Sequence, residues 1–255
     1  MSGPLSDKVV IVTGAGGGIG HDASRVLAAA GAKVVLSDIS EDSGTAARDA
    51  VLADGGEAIF VPADLASEAS IAALVKSAVD HFGRLDGAFN NAGVEQRNKP
   101  VAELSLEEWE HALRIDLTAV FLCIKHQVPA MLASGGGSIV NTASSLGQVA
   151  IPGASEYIAA KHGVIGLTRA AGADYAAQGV RVNAVLPGII ETPMISRLSS
   201  DPSFTAMFDQ LRARHPIGRF GKPSEVGEAV AWLLSDAASF INGAAVAVDG
   251  GYLSI

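Results

Sequence analysis

The chain has 255 residues and a formal net charge of −9, with 49 % hydrophobic residues, only 5 % aromatic residues and 29 glycines. The negative charge argues against nucleic acid or an anionic membrane surface as a partner. The single cysteine, Cys123, cannot form an internal disulfide, which fits a reducing compartment. A core of small and branched aliphatic side chains with many tight turns is typical of buried parallel strands covered by helices.

The sequence gives no sign of a leader, a membrane span or a metal centre. The opening residues MSGPLSDK lack the apolar stretch of a signal peptide, and no apolar run approaches the roughly 20 residues that span a bilayer. The six histidines are scattered, and neither H-E-x-x-H nor C-x-x-C occurs. We therefore expect a cytoplasmic protein with no membrane partner and no metal.

Strand-like and helix-like segments alternate along the chain. Hydrophobic periodicity predicts strands over residues 8–13, 33–37, 58–61, 85–90, 138–142, 180–186 and 244–248, with helices that end near residues 30, 54, 82, 133, 178 and 235. Ser105 and Glu108 form a capping box that opens the fourth helix. Between Pro187 and about Pro216 the periodicity fails. The alternation predicts an α/β fold, a doubly wound parallel β-sheet flanked by helices on both faces, in a single domain over residues 1–255.

A glycine-rich turn follows the first predicted strand. The segment TGAGGGIG places Gly14, Gly18, Ile19 and Gly20 where the first helix opens, so that backbone amides and the helix dipole favour a pyrophosphate. A tight strand-to-helix turn is the alternative interpretation. Asp38 ends the second strand about 20 residues on, where a carboxylate can accept hydrogen bonds from an adenosine ribose. The two features together favour nucleotide binding.

Asp38 also bears on which nucleotide is bound. A carboxylate beside a 2′-phosphate meets a repulsion of about 1 to 4 kcal/mol per charge pair, or roughly a tenfold to thousandfold loss of affinity. No arginine or lysine lies near the glycine turn or just after Asp38 to offset this repulsion. The sequence therefore predicts NAD rather than NADP. A helix cap or turn residue is the alternative role for Asp38.

Ser144, Tyr157 and Lys161 have the spacing of a proton-transfer site. Tyr157 and Lys161 are four residues apart and lie on one face of a helix, while Ser144 approaches from the end of the preceding strand. One ammonium at about 4 Å stabilises a phenolate by about 4 kcal/mol at an effective dielectric of about 20. A chance pattern on a helix surface is the alternative, and the other motifs of the chain argue against it.

Together these motifs resemble the short-chain dehydrogenase/reductase family, in its single-domain branch of about 250 residues. The resemblance covers nearly the whole chain. It rests on TGAGGGIG, Asp38, Asp64 with Leu65, NNAG at residues 90–93, Ser144, Tyr157 with Lys161, Pro187 with Gly188, Thr192, and VDGG at residues 248–251. It implies a Rossmann-type NAD(P)-binding domain. By the same resemblance Asp64 and Leu65 hold the adenine, Asn91, Ala92 and Gly93 support the cofactor, and Ile190 with Thr192 binds the nicotinamide carboxamide.

One position departs from the family pattern. The family usually has an asparagine in the long helix before the serine strand, where its backbone carbonyl holds a water that relays protons to the lysine. The matching residue here is Asp116. A backbone role survives this exchange, whereas a side-chain role is in doubt because a carboxylate cannot donate as an amide does. Asp116 is therefore a candidate catalytic residue, with a helix residue paired to Arg114 or to solvent as the alternative.

The substrate pocket is expected above the nicotinamide. We place it among residues that follow NNAG, residues that follow the serine, and a lid over about residues 189–215. The candidate substrate contacts are Val94, Glu95, Gln96, Ser144, Leu146, Val149, Tyr157 and Met194. Apolar lid residues such as Leu198, Phe204, Met207 and Phe208 favour an uncharged, bulky substrate, although packing of a surface helix explains any one of them equally well.

The sequence therefore predicts an NAD-dependent dehydrogenase of a secondary alcohol on an alicyclic or otherwise bulky hydrophobic skeleton, with a sugar as a weaker candidate. The alternatives are a 3-oxoacyl-acyl-carrier reductase, which Asp38 opposes because such reductases generally use NADPH, and a nucleotide-sensing scaffold without turnover, which the intact serine, tyrosine and lysine oppose. Family members are commonly tetramers, and the helix from Ser155 to Ala177 carries apolar residues on several faces. We expect a homotetramer.

Overall fold

A computed structural model of the protein describes residues 3–192 and 205–255, with the side chains of residues 205–207 left out of the description. Its sheet has seven parallel strands in the order β3-β2-β1-β4-β5-β6-β7. The strands are β1 Val9–Thr13, β2 Lys33–Ser37, β3 Glu57–Phe60, β4 Gly87–Asn90, β5 Gly137–Thr142, β6 Val180–Pro187 and β7 Ala245–Val248. The predicted α/β class with a doubly wound parallel sheet is confirmed.

Helices connect successive strands as the alternation predicts. They are α1 Gly18–Ala29, α2 Glu41–Ala53, α3 Glu68–Phe82, α4 Leu106–Leu113, α5 Ala119–Ala133, α6 Ser155–Tyr175, α7 Thr205–Ala213 and α8 Pro223–Leu234. Helix α7 lies where we expected no regular structure, so that expectation was wrong for residues 205–213. With nine residues it is too short to give a clear apolar repeat, and of its described side chains only Phe208 is buried.

The two faces of the sheet carry separate hydrophobic cores, because successive side chains of a strand point to opposite faces. In β1, Val9 and Ile11 join the core under α3, α5 and α6, whereas Val10 and Val12 join the core under α1, α2 and α8. Both faces are therefore covered, and the strands read as continuous apolar runs for this reason. Cys123 lies in α5, and burial raises the pKa of its thiol to about 12.

Helices α4 and α5 are joined by a π-helical turn, Arg114–Thr118, that interrupts one long helix. The helix begins at the predicted capping box, in which the Ser105 and Glu108 side chains each accept a backbone N–H of the other residue. By length and composition alone the 28 residues Leu106–Ala133 could cross a membrane. Here Val120, Ile124 and Met131 of this helix pack in the core under the sheet.

The order of the strands places a crevice at the carboxyl edge of the sheet. The chain winds outward from β1 in one direction through β2 and β3, and in the other direction through β4 to β7. Between β1 and β4 the winding changes direction, and ligands of such sheets bind outside the strand ends at this point. Thr13, Asp38, Asn90, Thr142 and Pro187 all end or follow strands at this edge.

Candidate active site

The glycine-rich turn and the start of α1 provide donors for an anion at this crevice. Gly17 precedes the helix and offers no side-chain cap, and the first turn of α1 contains no acidic residue. The backbone N–H groups of that turn therefore keep their attraction for a phosphate. Gly14 has φ +63°, and a β-carbon there would lie 2.8 Å from the α-carbon of Ala92, so only glycine allows the turn to pack against NNAG.

Asp38 lies beside the glycine turn. Its carboxylate accepts hydrogen bonds from the N–H of Gly16 at 2.9 Å and from the N–H of Ser40 at 3.0 Å. The cap of α2 is Ser40, whose hydroxyl accepts the N–H of Ser43, so Asp38 is not the helix cap. The carboxylate is thus held at the edge of the crevice by two backbone N–H groups.

The remaining predicted adenine and support residues line the same edge. Asp64 is exposed and accepts the N–H of Ala66 at 2.9 Å, which orients the turn containing Leu65. The Thr13 hydroxyl accepts the N–H groups of Asn91 and Ala92 at 3.0 and 3.2 Å. The strand end of β1 and the NNAG segment are therefore fixed to each other where β1 and β4 diverge.

The predicted nicotinamide segment follows β6 and reaches back to the glycine turn. Pro187 ends β6, and the N–H of Gly188 donates to the Val248 carbonyl at 3.1 Å. A β-carbon on Gly18 would lie 3.2 Å from the methyl carbon of Thr192. Thr192 therefore lies close against the start of α1. Ile190, between these points, is buried.

Lys161 joins three parts of the predicted catalytic site. Its ammonium lies 5.3 Å from the Tyr157 ring centroid and donates to the carbonyl of Thr142, at the end of β5, at 3.2 Å. It also forms an ion pair of 3.3 Å with the Asp116 carboxylate. Lys161 is only 3 % exposed and Asp116 is fully buried. The lysine charge is therefore poorly screened by water and acts strongly on its neighbours.

Asp116 sits in the π-helical turn, and its carboxylate faces the site. Besides Lys161 it accepts the N–H of Val94 at 3.1 Å, while its second oxygen has no partner among the described residues. Asp116 therefore pairs with Lys161 rather than with Arg114, and its complete burial keeps it from bulk solvent. Removal from water raises the pKa of the Asp116 carboxyl, and the positive charge of Lys161 opposes this effect without cancelling it. π-Helical turns are frequent at functional sites.

Ser144 lies beside this group on the loop after β5. It is 9 % exposed, and its hydroxyl accepts the N–H of Leu146 at 3.1 Å. The loop packs closely on α6, since a β-carbon on Gly147 would lie 3.0 Å from the Lys161 carbonyl oxygen. The fold thus brings together the end of β5, which carries Ser144, and the face of α6 that carries Tyr157 and Lys161.

The predicted substrate residues are only partly described. Val94, Glu95 and Gln96 follow NNAG on a loop whose backbone is held at Val94 by Asp116. Leu146 and Val149 follow the serine, and Val149 is 37 % exposed. Met194 and the lid residues 193–204 lie outside the described residues. Phe208 is 2 % exposed and packs on Phe220, with ring centroids 5.9 Å apart, so it anchors α7 rather than offering surface to a substrate.

Two buried residues of this region were missed from the sequence. Glu156, directly before Tyr157, is fully buried and accepts the N–H of Arg97 at 2.6 Å, at the far end of the loop that Asp116 holds. His215 is 2 % exposed and accepts the N–H of Ile189, at the start of the nicotinamide segment, at 3.1 Å. The acidic residue directly before Tyr157 could have been noticed in the sequence, whereas no motif or periodicity in the sequence points to His215.

Comparison with known proteins places the chain in a family. A family model described as "Enoyl-(Acyl carrier protein) reductase", one of the short-chain dehydrogenase/reductase models, matches residues 14–253. The chain belongs to the short-chain dehydrogenase/reductase family. Membership confirms the predicted resemblance and makes the protein a nicotinamide-dependent oxidoreductase, with the choice between NAD and NADP left open.

Two relatives of similar length are named as dehydrogenases of cyclic alcohols. A 2,5-dichloro-2,5-cyclohexadiene-1,4-diol dehydrogenase of Sphingobium indicum is 47 % identical over 98 % of this chain and 99 % of its own. A cyclohexanol dehydrogenase of an Acinetobacter species is 44 % identical over 100 % of this chain and 98 % of its own. These similarities support oxidoreduction between an alcohol and a ketone.

Solved structures agree with the fold. Levodione reductase has a TM-score of 0.93 and 39 % identity, covering 98 % of this chain and 99 % of its own. A structure described as "a putative 2-deoxy-d-gluconate 3-dehydrogenase" from Agrobacterium tumefaciens, with bound NADP, has a TM-score of 0.89 and 34 % identity, covering 98 % of each chain. The Rossmann-type architecture of the family is thus shared over essentially the entire length.

Proposed function

We propose that this protein is an NAD-dependent dehydrogenase that transfers hydride between an alicyclic secondary alcohol and its ketone. The observation that carries the proposal is the convergence on one crevice of the Lys161 ammonium, the Tyr157 ring and the strand end before Ser144. This is the donor and base set that oxidation of a carbinol requires, and it lies beside the cradle for a nucleotide.

Each of these side chains has a definite role in the proposed reaction. Tyr157 takes the hydroxyl proton in oxidation and returns it in reduction. Ser144 donates a hydrogen bond to the substrate oxygen, on which negative charge develops. Lys161 lies beside the Tyr157 ring and would hold the nicotinamide ribose, and Asp116 holds Lys161. When bound, the nicotinamide cofactor supplies the acceptor or donor of the hydride.

The preference for NAD rests on Asp38. Its carboxylate is held at the crevice by the N–H groups of Gly16 and Ser40, so it cannot turn away from a 2′-phosphate without losing both bonds. A similar structure binds NADP, so the fold itself does not exclude a 2′-phosphate. The charge at residue 38 is therefore what supports NAD in this chain.

An alicyclic substrate is supported by family members that are similar to this chain in length and sequence. Two of them are named for a cyclohexadiene diol and for cyclohexanol. Arg212 and Arg214, which could otherwise recognise an acidic substrate, are engaged elsewhere. Arg212 pairs with Asp209 at 2.7 Å, and Arg214 lies 4.8 Å from the Tyr252 ring centroid. An uncharged skeleton fits this arrangement.

Reduction of a 3-oxoacyl-acyl-carrier thioester is the second candidate function; the description of the matching family model names a different step on a carrier-bound acyl chain, the reduction of an enoyl group. Asp38 opposes it, since those reductases generally use NADPH. A sensing scaffold without turnover is opposed by the buried ion pair at Lys161, whose desolvation is costly and has no use in a passive nucleotide site.

We also propose that the protein is a homotetramer in which the outer faces of the fold associate. Phe240 is fully exposed, and Trp232 on α8 and Phe121 on α5 are 45 % and 47 % exposed. The edge strand β7 begins five residues after Phe240. Exposed aromatic side chains beside an unpaired strand edge are typical of an interface. Light scattering should give a tetramer mass at micromolar concentration, and a monomer mass would refute the proposal.

A substrate panel tests the proposed reaction. The purified protein is mixed with NAD or NADP and with cyclic alcohols, sugar alcohols or sugars, and, in the reverse direction, cyclic ketones and acyl thioesters. The absorbance of the reduced nicotinamide is followed. We expect the highest kcat/KM with NAD and a cyclic secondary alcohol. Faster turnover of thioesters with NADPH would favour the second candidate instead.

A further inference from the structure

His215 follows α7 and lies buried between the end of β6 and the chain terminus. Both ring nitrogens are engaged. The N–H of Ile189 donates to Nε2 at 3.1 Å, and Nδ1 lies 2.9 Å from the carbonyl oxygen of Leu211. An amide N–H can only donate, so Nε2 is the unprotonated acceptor, and Nδ1–H donates to the carbonyl. The imidazole is therefore neutral, with a fixed tautomer.

The surroundings of the ring fix its position tightly. Its centroid lies 5.9 Å from that of Phe220 and 5.2 Å from that of Tyr252. On the side of β6, a β-carbon at Gly188 would lie 2.9 Å from Nε2. Glycine at residue 188 is thus what lets the imidazole reach the N–H of Ile189. This contact gives the Pro187-Gly188 motif a structural purpose of its own.

The bond to His215 is one of several that hold the nicotinamide segment. Gly221 holds the other side, accepting the N–H of Glu191 at 2.7 Å and donating to the Ile189 carbonyl at 3.0 Å. The N–H of Ile189 is bound by the His215 side chain, whose other ring nitrogen bonds to the carbonyl of Leu211 in α7. The imidazole therefore links the nicotinamide segment to α7. The position of α7, which precedes His215, is therefore coupled through one imidazole to the backbone that leads to Ile190 and Thr192.

We propose that His215 is a positioning residue for the nicotinamide end of the cofactor site. By accepting the N–H of Ile189, the neutral imidazole holds the backbone of residues 189–192 in the conformation that binds the carboxamide. This inference rests on the proposed function, because it requires the nicotinamide to bind at Ile190 and Thr192. Without the acceptor, the N–H of the half-buried Ile189 loses its partner, and the segment moves to reach another one.

Two substitutions separate this role from simple packing. His215→Gln can place an amide oxygen near the position of Nε2 and keep the bond to Ile189. The asparagine side chain of His215→Asn is shorter. Its amide can replace Nδ1 in the bond to the Leu211 carbonyl, but it cannot reach the N–H of Ile189. Exposed His81, at the end of α3, gives the control His81→Asn. The readouts are the Kd of NADH from its fluorescence, the Kd of ADP-ribose, and the midpoint of urea denaturation.

We expect His215→Asn to raise the Kd of NADH by about fivefold or more, the cost of one lost hydrogen bond. ADP-ribose lacks the nicotinamide, so its Kd should remain that of the wild type. His215→Gln should restore NADH binding to within about twofold. The inference is overturned if His215→Asn loses affinity for NADH and for ADP-ribose equally, or if His215→Asn and His215→Gln bind NADH with the same Kd. If His215→Asn does not fold, unchanged NADH binding by a folded His215→Phe variant overturns it, and selective loss supports it. Failure of the wild type to bind NADH would instead refute the proposed function.

Discussion

The Lys161 ammonium and the Asp116 carboxylate form a buried ion pair of 3.3 Å inside the candidate active site. The pair spans two elements, because Asp116 lies in the π-helical turn between α4 and α5 and Lys161 lies in α6. The same carboxylate oxygen accepts the N–H of Val94, on the loop expected to contact substrate. The charge that acts on Tyr157 and the position of the substrate loop therefore depend on one aspartate.

Asp116→Asn should leave activity within about threefold of the wild type. The amide oxygen can still accept the N–H of Val94, and Lys161 keeps its bond to the Thr142 carbonyl. The change also leaves the positive charge of Lys161 without an opposing carboxylate. Steady-state kcat and KM with a cyclic alcohol measure the effect, and Asp116→Ala, which loses the acceptor, is the comparison. A collapse of kcat in a folded Asp116→Asn variant would show that the carboxylate itself is needed.

The same variant should change how stability depends on pH. Burial raises the pKa of Asp116 above its ordinary value of 3.8, so the folded state binds its proton more tightly than the unfolded state. The contribution of Asp116 to the free energy of unfolding therefore falls as pH rises from 3.8 through the raised pKa, and it stays constant above that pKa.

Urea denaturation of the wild type and of Asp116→Asn from about pH 3.5 to 8 measures this difference. Subtracting the two curves cancels the groups that they share. The stability of the wild type relative to the variant should fall with rising pH and then level off. A relative stability that grows with pH contradicts the direction of the pKa shift.

Tyr157→Phe should lower kcat by roughly 10² to 10⁴, the usual share of general acid and base catalysis. Only one hydroxyl is lost, so the fold and the Kd of NADH should not change. Tyr175→Phe, at the other end of α6, is the matched control and should keep full activity. Near-normal turnover by Tyr157→Phe would remove the tyrosine from the proposed mechanism.

Asp38→Ala should narrow the preference for NAD, which we expect to be at least about tenfold in the wild type. Loss of the carboxylate relieves its repulsion of a 2′-phosphate and also removes a hydrogen-bond partner of the ribose. The kcat/KM with NADP should therefore rise while the kcat/KM with NAD falls. The measurement is kcat/KM with each cofactor. Asp49→Ala, an exposed position further along α2, should leave the ratio unchanged. Equal efficiencies with NAD and NADP in the wild type would refute the assigned preference.

The architecture could be predicted from the sequence because apolar strands and amphipathic helices alternate with regular spacing. The cofactor and catalytic motifs could be placed for the same reason, since parallel strands bring their carboxyl ends to one edge. Within the site, the aspartate at residue 116 could be recognised as unusual. Its partner could not, because pairing with Lys161 depends on how the π-helical turn faces α6.

Contacts between distant segments escaped prediction. The bond from Ile189 to His215 joins residues 26 positions apart through a segment without strong periodicity. Likewise, Glu156 and Arg97 are 59 positions apart, and their contact depends on the packing of a loop on α6. Helix α7 was missed because nine residues give too few repeats for a pattern to emerge.

Transfer of deuterium tests the central claim most directly. The cyclic secondary alcohol with the highest kcat/KM in the panel is prepared with deuterium at its carbinol carbon and incubated with the protein and NAD. NMR of the recovered cofactor should show deuterium at C4 of the reduced nicotinamide on one face of the ring, and Tyr157→Phe should slow its appearance by roughly 10² or more. Reduced cofactor without deuterium, or no oxidation of any cyclic alcohol by a protein that binds NADH, would contradict the proposed function.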